Sequence, residues 1–127
     1  MSRTIAALRK LEAVARLKAD IELRRFSAFR TQVVAAETRI EASRRDLAAA
    51  ASSDPGAALA DWRVAHALVG YRAEALTRAQ VDLDRMRPGF DAARQTAARA
   101  FGRAEALREL RATLGAQERR DAERRTW

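Results

Sequence analysis

The chain has 127 residues, a net charge of +8, 48% apolar residues, no cysteine and one histidine. That length suits one domain, and the scarcity of turn formers nearly excludes an all-β sandwich or a βαβ fold. Without cysteine there is no disulfide framework, thiolate metal site or cysteine nucleophile, and one histidine removes most zinc and imidazole chemistry.

The apolar content is unusual in kind, because 31 of the residues are alanine. Alanine buries little area, so a globular core built at roughly 25 cal/mol per Å² would be thin. It does supply helix propensity, with arginine, leucine and glutamate close behind. The reading is therefore all-α. The opening Met1-Ser2-Arg3-Thr4 leads into an amphipathic stretch and not into the apolar block of a signal peptide. No run approaches the ~20 apolar residues of a membrane span, so the chain reads as soluble and intracellular.

A first helix is expected over about 3–51. In it Phe26, Phe29, Val33, Ala36, Ile40, Ser43 and Leu47 recur in three- and four-residue steps. An earlier stripe, Ile5, Leu8, Leu11, Val14, Leu17 and Ile21, runs in a different register. This predicts a slip between Lys18 and Phe26, and a local change in coiled-coil winding.

Ser52-Ser53-Asp54-Pro55-Gly56 is the strongest punctuation in the sequence. It predicts a turn over 52–56, with serine or aspartate capping the next helix and Pro55 near its first turn. So short a link makes the two helices antiparallel neighbours.

The second helix is expected over about 57–125 and carries the clearer pattern. Trp62, Val69, Leu76, Leu83, Phe90, Ala97 and Ala104 recur every seven residues, beside Ala65, Arg72, Ala79, Met86, Ala93, Ala100, Leu107 and Leu114. These are the two rows of a heptad seam. Pro88-Gly89 interrupts it, yet the heptad passes through in register, which predicts a kink rather than a stop. The fold is thus read as one coiled-coil hairpin over residues 1–127, kinked near Pro88, its second helix the longer.

If the chain reverses near Asp54, Pro88 lies opposite about residue 20, within the predicted slip. At 1.5 Å per residue the helices are ~70 Å and ~100 Å long. Residues beyond about 107 then lack a partner in the first helix, although Leu107, Leu110 and Leu114 form an apolar stripe there. An unpartnered stripe implies another chain or a fold-back.

Few residues invite chemistry. His66 stands alone, as a polar residue flanking the seam. Glu37/Glu41 and Glu105/Glu109 have metal-compatible spacing, but neighbouring arginines make them salt-bridged helix faces. Acid-first pairs such as Asp20/Arg24, Glu41/Arg45, Glu74/Arg78 and Asp121/Arg125 support a long exposed helix. No catalytic, cofactor-binding or metal-binding residue is assigned. The basic excess is spread evenly, with 11 basic and six acidic groups in residues 1–51 and 14 and ten in residues 57–127. This interleaving argues against a nucleic-acid grip. A basic amphipathic helix could lie on a membrane, but the apolar stripes are read as needed for helix pairing. Trp62 is read as seam packing, whereas Leu68 and Tyr71 lie off the seam as exposed contacts.

Three features occur together. They are the opening Thr4-Ile5-Ala6-Ala7-Leu8-Arg9-Lys10-Leu11-Glu12, Asp61-Trp62 with Tyr71 after it, and Glu105-Ala106-Leu107-Arg108-Glu109-Leu110 before Glu118-Arg119-Arg120. With them, nearly the whole chain resembles the FliJ/SctO (YscO) family, the small stalk proteins of flagellar and injectisome type III export.

The resemblance implies a non-enzymatic cytoplasmic stalk, peripheral to the inner-membrane export apparatus. Its two termini would enter the pore of a hexameric export ATPase, and its other end would reach the cytoplasmic domain of the export gate protein. Export chaperones would be further partners. The ATPase-contacting residues would be Ile5, Leu8, Leu107, Leu110, Leu114, Arg119 and Arg120. Those facing the gate would be Leu68, Tyr71, Arg72, Ala75 and Ala79, where Arg72 departs from the family's apolar character. The readings left beside this one are a basic helical module binding nucleic acid or an anionic scaffold, and a generic self-associating coiled coil.

Overall fold

Residues 2 to 52 contain neither glycine nor proline, and they form one uninterrupted helix. The computed structural model describes the backbone of residues 2–126 and the side chains of residues 3–126. It holds two helices, α1 (Ser2–Ser52) and α2 (Leu59–Arg125), with no strand among the described residues. The all-α expectation and the two long helices are therefore seen, with α2 the longer.

The connection satisfies its own backbone. The Ser52 and Ser53 hydroxyls donate to the carbonyls of Ala48 and Ala49 at 2.8 and 2.7 Å, four residues back in the last turn of the helix. Asp54 Oδ1 accepts from the Gly56 N–H at 3.0 Å. Gly56 has φ +92°, a left-handed conformation that suits glycine. The cap of α2 differs from expectation, since the helix starts at Leu59 and no serine or aspartate of the turn caps it. Instead Asp61 reaches back from the first turn, its Oδ2 accepting from the Ala58 N–H at 3.4 Å. This is half of a capping box.

The chain divides into two compact units, Ala28–Asp91 and Met1–Ser27 with Ala92–Trp127. We call them the connection unit and the terminal unit. In each, the α1 and α2 segments run antiparallel.

The connection unit has a core of ordinary size. Val33, Ala36, Ile40 and Leu83 are buried, with Phe29, Leu76, Ala79, Met86 and Phe90 packed against them. Each large aliphatic residue so buried contributes roughly 1.5–3 kcal/mol. Phe29 and Phe90 meet with ring centroids 6.5 Å apart and planes at 54°, within the range of favourable tilted pairs. Beside them Gly89 makes room for a ring: a Cβ there would lie 2.8 Å from Phe29 Cζ. Helix α2 continues through Pro88 and does not end at Arg87. Pro88 and Asp84 are both exposed, so water can take the carbonyl that the missing N–H leaves free.

The terminal unit is built differently. Its cluster is Ala19, Ala100 and Ala104 with Ala15 against them, and Leu8, Glu12 and Ala97 are also buried. Glu12 is only 7% exposed, and it is clamped by Arg111. Arg111 Nε donates to Glu12 Oε2 and Nη2 to Oε1, the second at 3.4 Å. Arg16 Nη2 lies 3.7 Å from the same carboxylate. An alanine seam offers several nearly equivalent registers, and a single polar layer selects one of them.

Burial corrects the reading of α1. Its buried and half-buried positions, 5, 8, 12, 15, 19, 22, 26, 29, 33, 36, 40, 43, 47 and 50, with 42 beside 43, advance in three- and four-residue steps. There is no register slip. Glu12, Ala15, Ala19 and Glu22 face α2, while Leu11, Val14, Leu17 and Ile21 are 47–64% exposed. Of the stripe seen in the sequence, Ile5 and Leu8 belong to the seam, and the other four residues lie outside it.

The pairing is also shifted. Residue 89 faces Phe29, not residue 20, because the connection spans 53–58 and α2 runs past the end of α1. Consequently the residues beyond 107 do have partners in α1. Arg111 holds Glu12, and Ile5 and Arg9 line one groove with Gly115, Glu118 and Arg119. The unpartnered turns lie at the opposite end of α2, and they include Trp62, which is 57% exposed and not packed in the seam.

Candidate interaction surfaces

At the start of α2, Asp61 and the Gly56 turn launch a helix whose first two turns have no α1 segment beside them. Leu59, Trp62 and Val64 are all exposed there. Val64, Leu68 and Tyr71 follow at four- and three-residue spacing, which places them on one face of α2. All three are exposed. Tyr71 is also covered from one side, since the Arg72 guanidinium stands 5.7 Å from its ring centroid and is attracted to the ring's negative face. Arg72 Nη1 lies 3.6 Å from Asp46 Oδ2 on α1. Arg72 thus serves the seam and supports the tyrosine.

Of the five positions expected to face a gate protein, Leu68 and Tyr71 present large exposed side chains. Ala75 and Ala79 line a shallow groove with Ala42 and Ser43 of α1, and Ala79 packs on the core. Sequence reasoning missed Leu59, Trp62 and Val64 because it placed the reversal too early. Following the row of Phe26 and Phe29 backward in steps of three and four would have reached Glu12. Pairing Glu12 with Arg111 would then have corrected the offset.

In the terminal unit, the seven expected contact residues separate by burial. Leu8 is buried, and Ile5, Leu107 and Leu114 are half-buried in the seam, where they hold the two helices together. Leu110, Arg119 and Arg120 are exposed. This unit also exposes Leu23 and Phe101, which line a groove floored by Ala19 and Ala97. Around residues 15–19 and 97–104 small side chains thus lie inside and large ones outside.

The charged groups behave as helix faces, with a different spacing. Glu41 pairs with Arg44 at 3.0 Å and not with Arg45. Glu22–Arg25, Asp84–Arg87 and Glu105–Arg108 are likewise three residues apart. Exposed pairs of this kind contribute little each. Glu12 differs: its hydrogen bond from Arg111 holds its carboxyl below the ordinary 4.5, against the opposing effect of burial. The charges of Arg111, Arg16 and Arg108 add to the lowering. The same bond raises Arg111. His66 is exposed. No group of three or more metal-ligating side chains occurs among the described residues, and no described helix is long and apolar enough to cross a membrane.

Comparison with protein-family models, curated proteins and solved structures finds no match to this chain.

Proposed function

We propose that this protein is a non-enzymatic coupling stalk of a type III export apparatus, as its resemblance to the FliJ/SctO (YscO) family implies. The terminal unit engages the hexameric export ATPase, and the connection unit engages the cytoplasmic domain of the export gate protein, at the cytoplasmic side of the inner membrane. One observation carries the reading. Each unit exposes its own group of large apolar side chains on helix surfaces, Leu110 and Phe101 in one and Trp62, Leu68 and Tyr71 in the other. A protein that couples two partners needs two such surfaces. Exposed tryptophan and tyrosine next to arginine are the kind that dominate interface energies.

The test is capture of purified ATPase and purified gate domain by the full chain. Leu110→Asp is expected to weaken ATPase capture tenfold or more and to leave gate capture intact. Leu68→Asp should do the reverse. Both positions are exposed, so the helical circular dichroism should not change. The reading fails if neither partner is captured. It also fails if capture ignores both substitutions and falls steeply with salt, as phosphate binding does.

A further inference from the structure

We propose that the outward face of α1 in the terminal unit lies on an anionic lipid surface. This goes beyond the stalk reading and concerns a face that ATPase capture through Leu110 does not require. The membrane reading of the sequence was set aside because the apolar stripes were needed to pair the helices. Leu11, Val14, Leu17 and Ile21 do not pair the helices and remain exposed. At 3.6 residues per turn they fall within an arc of about 120° centred on Val14.

The same arc holds Arg3, Lys10 and Lys18, and Arg25, which is paired with Glu22 at 3.0 Å; no carboxylate lies within the arc itself. Lys10 and Lys18 are the only two lysines of the chain, beside 23 arginines. An exposed apolar helix face accompanied by basic residues is drawn to an anionic headgroup layer both by burial of its apolar area and by charge. Long basic side chains can reach the headgroups while their stems lie along apolar surface.

Charge decides among the possible occupants. A second copy of this chain would bring the same lysines and arginines against themselves. A partner helix packing in a regular seam would need an apolar residue at 18, seven after Leu11, and would have to bury Lys18 instead. A lipid surface needs no matching groove for a convex helix face, and it leaves both lysines at headgroup level. Each basic residue near an anionic leaflet is worth about fivefold in binding.

The test is flotation of the full chain with vesicles of equal phosphatidylcholine and phosphatidylglycerol, against phosphatidylcholine alone. Binding is expected to the anionic vesicles only. Leu17→Glu should lower it at least fivefold with unchanged helical content, and Lys10→Glu with Lys18→Glu should lower it tenfold or more. Val34→Glu, an exposed change in the connection unit, should have no effect. Leu17→Glu should retain ATPase capture, while Leu110→Asp should retain vesicle binding, which separates this inference from the stalk reading. It is overturned if anionic vesicles do not bind, or if Leu17→Glu binds them as the unsubstituted chain does. It is also overturned if Leu17→Glu loses protein capture while vesicle binding is unchanged.

Discussion

Replacing Gly89 by alanine sets two effects of known sign against each other. Gly89 lies inside α2, where alanine is favoured over glycine by about 1 kcal/mol. On helix propensity alone the variant would be stabler. But the new Cβ would stand 2.8 Å from Phe29 Cζ and 3.1 Å from Cε2, against a favourable carbon–carbon separation of about 3.5–4.0 Å. The ring must retreat by several tenths of an ångström, and it is held by the tilted contact with Phe90 at 6.5 Å. Overpacking of this kind costs about 1–3 kcal/mol. The net expectation is destabilisation by about 1 kcal/mol, a fall of roughly 3–5 °C in Tm. Removing the ring should reverse the sign, so that in a Phe29→Ala background Gly89→Ala stabilises by about 1 kcal/mol. The cycle then has a coupling of about 2 kcal/mol, typical of residues in direct contact. Urea unfolding followed by circular dichroism at 222 nm measures all four proteins. If Gly89→Ala stabilises both backgrounds equally, Phe29 does not occupy the glycine's space and the proposed packing is wrong.

Two further outcomes follow from the turn and from the polar layer. Gly56→Ala should destabilise by about 1–3 kcal/mol, because φ +92° is strained for alanine and the added Cβ would meet Asp61 Oδ2 at 2.8 Å; an unchanged urea midpoint would count against this. The folded-state pKa of Glu12 is lowered, so near and below 4.5 the unfolded chain binds the more protons and stability must rise with pH. The Tm difference between the unsubstituted chain and Glu12→Gln should thus be full at neutral pH and should close as pH falls through the folded value. A gap that widens on acidification would contradict the assigned pairing.

The candidate surfaces were partly legible. Leu68 and Tyr71 could be read as off-seam residues because the α2 heptad is regular, and the structure does expose them. Trp62 could not, since its place in the heptad row says nothing about where α1 ends. Leu11, Val14, Leu17 and Ile21 were visible as a stripe, yet hydrophobicity assigned them to the seam in place of Glu12, Ala15, Ala19 and Glu22. Large apolar residues ordinarily go inside, and here the helices close on Ala15, Ala19, Ala100 and Ala104 and on the Glu12–Arg111 pair.

The sequence by itself determined the helices, their approximate ends and the seam of α2, because propensity, turn chemistry and heptad spacing act over a few residues. Only the tertiary structure decided the offset between α1 and α2, which face of α1 is buried, and which end of α2 is left without a partner. These depend on contacts between residues far apart in the chain: Phe29 beside Gly89, Asp46 with Arg72 and Glu12 with Arg111, 99 positions apart. A seam with so much alanine discriminates weakly among registers, so a few large or charged side chains fix the choice.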